Sequence, residues 1–197
     1  NDLVDNLSSN HWINVFMDNE GPETGIFYAN PQFMDRDTLF ITSNSGITLK
    51  TRDDASGVQN VEYSIDGGGF KTYSAFNLPS EGYHTIKFRS SDNVNNKETE
   101  KTSSCFIDNT APEIFIKFSI EAIGQKNGVP VYPNYTRMYV AATDKKVGTE
   151  QILYSMDDAA LTLYSSPQTL DASEMSRFRK NKKYSVKVVA KDKLGNS

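Results

Sequence analysis

The sequence predicts an all-β protein made of two tandem antiparallel β-sandwiches. Three observations lead there. The chain repeats itself at a period near 90 residues, strand-type alternation fills both copies, and Gly, Pro, Asn and Asp punctuate the strands. Self-similarity at a fixed spacing is the mark of a repeated structural unit. Phe16-Met17-Asp18-Asn19-Glu20-Gly21-Pro22-Glu23 returns as Phe106-Ile107-Asp108-Asn109-Thr110-Ala111-Pro112-Glu113. Tyr63-Ser64-Ile65-Asp66 returns as Tyr154-Ser155-Met156-Asp157, and Asp54 aligns with Asp144. Ser91-Asp92-Asn93-Val94-Asn95-Asn96 matches Lys191-Asp192-Lys193-Leu194-Gly195-Asn196 at a wider offset. A longer loop around Asp171-Ala172-Ser173-Glu174-Met175-Ser176, able to form one helical turn, accounts for the wider offset.

Strands are expected near 24–28, 38–42, 46–52, 58–65, 70–74, 82–90 and 99–107 in the first copy. In the second they are expected near 113–120, 136–143, 150–156, 161–165 and 182–191. These runs are rich in Val, Ile, Thr, Tyr and Phe and are bounded by turn residues. Ile86 and Phe88 alternate with Lys87 and Arg89, and Val186 and Val188 with Lys187. That is the signature of a sheet with one face buried and one wet. Asp66-Gly67-Gly68-Gly69 supplies the positive-φ residues of a tight hairpin. It is not a phosphate loop, because no Gly-Lys-Ser/Thr follows it. About seven strands in 90 residues suit an immunoglobulin-like sandwich.

The domain reading is residues 1–17 as the tail of a preceding repeat, 18–107 as the first repeat and 108–197 as the second. Val4–Asn10 resembles the turns at Asp92 and Asp192, and an N-terminal strand at 10–17 takes the place that 102–107 holds before the second repeat. The second repeat stops before its own final strand. The chain therefore reads as a segment of a longer array. Its spare first strand is expected to pair with the second repeat of a neighbouring molecule, or to pack on its own repeat.

Composition narrows the function classes. The 197 residues carry a formal net charge of −4 with both signs mixed along the chain. No basic patch marks a nucleic-acid partner. No apolar run approaches the ~20 residues of a membrane span. Cys105 is the single cysteine, so no internal disulfide forms, and its strand context predicts a small buried hydrophobe. His11 and His84 are the only histidines, and His84, among polar neighbours, is expected on an outer face. No nucleophile, zinc or redox motif is present, so the chain reads as non-catalytic, with no catalytic residue assigned.

As a set, Asp53-Asp54-Ala55-Ser56-Gly57-Val58, Val61-Glu62-Tyr63-Ser64-Ile65-Asp66-Gly67-Gly68, Tyr73, Glu81-Gly82-Tyr83-His84-Thr85-Ile86 and Arg89-Ser90-Ser91-Asp92-Asn93 resemble a bacterial family. These are immunoglobulin-like tandem repeats of the leptospiral outer-membrane-protein type. The second repeat is looser: Asp157-Asp158-Ala159 replaces Asp-Gly-Gly. With Tyr164-Ser165-Ser166-Pro167 it is similar to the C-terminal domain of chitobiase-type enzymes. The resemblance implies a spacer or stalk in a cell-envelope or secreted protein, whose partners are neighbouring repeats of the same polypeptide. The alternative is an adhesion or carbohydrate-binding module, accessory to a glycoside hydrolase or facing a glycan or a host matrix protein. Phe70, Tyr73, Phe76 and Tyr164 are the aromatic candidates for a sugar surface.

Calcium is the sharper chemical reading. In a sandwich of this kind the first residues of a repeat, the loop after its second strand and its last hairpin loop share one end. That end gathers Asp18, Asp53, Asp54, Asp92 and Asn95 as the candidate metal ligands, with Asn19 and Asn93 beside them. In the second repeat it gathers Asp108, Asn109, Asp144, Asp192 and Asn196. Calcium takes six to eight oxygens from such groups. The same residues also serve turns, because Asp and Asn bond their own backbone.

Overall fold

The computed structural model describes residues 11–157, 159–169 and 182–197. The turn at Val4–Asn10, Asp158 and the helical turn expected at 171–176 lie outside them. The described residues form sixteen strands and no helix, an all-β sandwich-type fold.

The first half holds β1 (Glu23–Tyr28), β2 (Gln32–Asp35), β3 (Thr38–Ile41), β4 (Ile47–Arg52), β5 (Val58–Ile65), β6 (Lys71–Thr72), β7 (Gly82–Asp92) and β8 (Lys101–Ile107). β1 pairs with β4, and the remaining six join in the order β2-β3-β8-β7-β5-β6. The second half holds β9 (Glu113–Phe118), β10 (Gly124–Lys126), β11 (Val129–Val131), β12 (Arg137–Thr143), β13 (Thr149–Met156), β14 (Thr162–Leu163), β15 (Gln168–Thr169) and β16 (Val186–Asp192). Its sheets run β15-β12-β9 and β14-β13-β16, with β10-β11 as a separate hairpin.

Alternation decides which face is buried. Along β7, His84, Ile86, Phe88, Ser90 and Asp92 point inward, and the residues between them do not. With Ile41, Ile47, Leu49, Tyr63, Leu78, Cys105 and Ile107 the apolar members form the first core. Met138, Val140, Tyr154 and Met156 form the second, with Phe118, Ile152, Tyr164, Tyr184 and Val188 packed against them. Cys105 is fully buried, and burial pushes its thiol up to about 11.

The same devices occur in both halves. Tyr73 accepts a hydrogen bond from the Leu49 amide at 2.9 Å, and Tyr164 accepts one from the Val140 amide at 2.9 Å. Tyr73 meets Tyr63 edge-on, with ring centroids 6.2 Å apart, and Tyr164 meets Tyr154 likewise at 6.1 Å. Asp66 and Gly67 both take positive φ, and Gly68 N–H closes that turn onto the Ile65 carbonyl. Asp157 occupies the matching turn, also at positive φ.

Three expectations change. The sheets are not wholly antiparallel: β3 runs parallel to β8, pairing Phe40 with Phe106 and Ile41 with Ile107. Both strands leave toward the second half, and the Asp108 amide continues the pairing by donating to the Ile41 carbonyl. The N-terminal strand is not formed, because residues 11–22 carry no strand pairing. Trp12, Ile13, Val15, Phe16 and Met17 stand almost wholly in solvent, so the segment does not pack on its own repeat. His84 lies inside rather than outside, since strand period places it with Ile86 and Phe88.

Tyr73 and Tyr164 each satisfy an amide that no strand partner reaches. Tyr73→Phe and Tyr164→Phe should each lose about 1–3 kcal/mol, the cost of an unsatisfied buried donor. Chemical denaturation of each variant measures it, and a loss near zero for both would remove these bonds from the account.

Candidate functional site

Two acidic clusters stand at corresponding ends of the two halves. Asp18, Asp53 and Asp92 form one, and Asp108, Asp144 and Asp192 the other; within each, a carboxylate oxygen from every residue lies within 4.8 Å of the others. Turn geometry brings them there. Asp92 and Asp192 end long strands and are fully buried. Each gives Oδ1 to two amides of its own turn: Val94 and Asn96 at 3.0 and 2.8 Å, and Leu194 and Asn196 at 2.8 Å each. Each gives Oδ2 to the side-chain amide of Asn96 or Asn196, both at 2.7 Å. That same amide reaches back to the start of the repeat, at the Asp18 carbonyl (3.3 Å) or the Asp108 carbonyl (3.0 Å).

Asp53 caps the loop after β4, and Asp144 caps the loop after β12. Asp53 Oδ1 accepts from the Ala55 and Gly57 amides, and Asp144 Oδ1 from those of Lys146, Val147 and Gly148. Gly57 and Gly148 turn these loops at φ 83° and 78°, a conformation suited to glycine.

The clusters differ at their first carboxylate. Asp18 Oδ1 accepts from the Glu20 amide and Oδ2 from the Ser56 amide at 2.9 Å. Hydrogen bonding from Ser56, then from the Glu20 amide, holds the Asp18 carboxyl below its usual range. In the second half the amide equivalent to that of Ser56 belongs to Val147 and turns to Asp144 instead. Asp108 keeps the Thr110 amide at Oδ1, but Oδ2 is buried without a hydrogen-bond partner. Burial pushes the Asp108 carboxyl up, the charges of Asp144 and Asp192 push the same way, and the Thr110 amide and Lys146 oppose them.

Of the residues expected to bind metal in the first repeat, Asp18, Asp53 and Asp92 come together. Asp54 does not join them; it is exposed, and the true counterpart of Asp144 is Asp53, four residues before the left-handed glycine in each loop. Asn95 sits in the turn that follows Asp92. It is exposed at φ 70°, matching Gly195 at φ 86°, and its neighbour Asn96 supplies the inward amide. The Asn96–Asn196 correspondence was available in the sequence, because both are the fourth residue after a buried Asp.

The aromatic candidates are used internally. Phe76 stacks on Tyr63 with centroids 4.2 Å apart, Tyr73 and Tyr164 hold backbone amides, and Phe70 lies beneath the Arg89 guanidinium at 4.1 Å. His84 bridges two acceptors, Asp66 Oδ2 at 2.7 Å from Nδ1 and the Ser80 carbonyl at 2.8 Å from Nε2. Burial alone would lower its pKa; the bonds to Asp66 and Ser80 and the Asp66 charge outweigh that and raise it above 6.5.

The halves meet beside the second cluster. Glu81 accepts from Thr110 Oγ1 at 2.8 Å and from the Lys146 ammonium. Asn109 Oδ1 accepts from the Ser43 amide at 2.9 Å, and Lys146 and Lys193 lie over the Phe106 and Phe33 rings. No family model and no curated protein matches the chain.

The His84–Asp66 pair predicts a pH signature. A raised folded-state pKa stabilises below the unfolded value near 6.5 and loses that contribution as pH rises through the folded value. His84→Asn should therefore lower Tm most below the unfolded value near 6.5, with the gap to wild type narrowing as pH rises through the folded value. A gap that is constant or widens with pH contradicts the protonated pair.

Proposed function

We propose that this chain is a non-catalytic spacer: tandem immunoglobulin-like repeats of a bacterial cell-surface or secreted protein. The observation that carries the reading is the joint between the halves. The Glu81 carboxylate and the Ser43 backbone amide of the first repeat are committed to the second through Glu81–Lys146, Glu81–Thr110 and Ser43–Asn109. A spacer needs such commitments, since consecutive domains with few cross-contacts pivot by default. The resemblance of the turn motifs to bacterial surface repeats supports the setting. Asp92, Asp192 and His84 are each spent on holding backbone, which suits a structural role. Among the described residues no helix is long and apolar enough to cross a membrane.

Solution scattering tests the proposal. Wild type should fit one arrangement of the repeats, while Glu81→Ala with Thr110→Ala should broaden the distribution of maximum dimensions. Scattering from wild type that demands freely pivoting halves contradicts a spacer. A glycan array run beside it should show no specific binding; a specific hit shifts the reading to an adhesion or carbohydrate-binding module.

A further inference from the structure

Asp108 is fully buried, and its Oδ2 accepts no hydrogen bond. A buried carboxylate oxygen left this way costs far more than an exposed one, because nothing replaces the water it gave up. Two more carboxylates, Asp144 and Asp192, stand within 4.8 Å. The Lys146 ammonium is 3.8 Å from Asp108 Oδ1, the other oxygen, and is held by Glu81. Three carboxylates, two of them fully buried, thus stand together beside an ammonium already engaged by Glu81.

We propose that Asp108, Asp144 and Asp192 bind one divalent cation of the calcium type. The dimensions suit it. Oxygens 2.3–2.6 Å from a calcium ion lie at most about 5 Å apart, which matches the span of this cluster. Asp108 brings a carboxylate with one oxygen free of any competing bond. Asp192 carries amides on both oxygens, and a carboxylate oxygen has a second lone pair to offer. Loop-borne carboxylates completed by water fit the flexible coordination of calcium better than the strict octahedron of magnesium. The first cluster is the internal contrast, because there both Asp18 oxygens already accept an amide and no buried carboxylate oxygen is left without a partner.

Calorimetric titration of the whole chain with calcium chloride tests this, alongside Asp108→Asn, Asp18→Asn and Lys146→Met. Wild type should show an Asp108-dependent site with a Kd of about 10⁻⁴–10⁻³ M, the range of extracellular calcium modules. Asp108→Asn should weaken that site at least about tenfold, the size of effect expected when a charged ligand is neutralised. Asp18→Asn should leave the site intact, and Lys146→Met should tighten it by removing a competing charge. No heat and no Tm shift in wild type at millimolar calcium overturns the proposal without reference to any variant. Binding in Asp108→Asn equal to wild type, or weaker binding in Lys146→Met, overturns it as well.

Discussion

Asp92 and Asp192 sit fully buried at the ends of β7 and β16, and each organises the head of its repeat. One oxygen closes the following turn through two amides, and the other orients an Asn side chain that holds the first residues of the repeat. Desolvating a carboxylate costs several kcal/mol. Three bonds to the charged group, at roughly 1.5–3 kcal/mol each, are of the right size to offset it. A surface turn thereby becomes a fixed point to which the start of the repeat and the capped loop at Asp53 or Asp144 are attached.

The second copy of this device has a further duty. Its first residue, Asp108, follows directly on β8, and the Asp108 amide extends the β3–β8 pairing. The head of the second repeat is therefore continuous with a sheet of the first. That continuity places Lys146 against Glu81 and brings Asn109 to Ser43. It also buries Asp108 completely, whereas Asp18, with no such sheet behind it, is only partly covered. The joint and the uncompensated carboxylate have one origin.

Much of the architecture was legible because it is periodic. β1, β3, β4, β5, β7, β12 and β13 fall within a residue or two of where alternation and turn residues put them. The hairpin of β10 and β11 was not among the expected strands, although Asn127-Gly128 is a strong two-residue turn signal, and in the structure both residues take positive φ. Its strands, Gly-Gln-Lys and Val-Pro-Val, are three residues each, too short to show alternation. β2 was hidden for a related reason: it lies between Pro31 and the Asp35-Arg36-Asp37 turn, which read as loop. The acidic clusters were legible as a gathering of Asp residues. Which Asp faces inward was not, because Asp53 and Asp54 differ only by one step in a loop, and left-handed φ at Gly57 decides between them. His84 was misplaced because its neighbours are polar, although period counted from Ile86 puts it inside. The parallel β3–β8 pairing joins residues 66 apart and has no local signal.

The central claim is that a buried carboxylate fixes the head of each repeat. Amide hydrogen exchange on wild type and Asp192→Ala tests it most directly. In wild type the amides of Leu194 and Asn196 should be protected although they lie in a turn, as should those of Val94 and Asn96. In the variant, protection should fall at Leu194, Asn196 and the Asp108–Thr110 stretch, while Val94 and Asn96 keep theirs. Fast exchange at all four turn amides in wild type, or an unchanged pattern in the variant, would contradict the account.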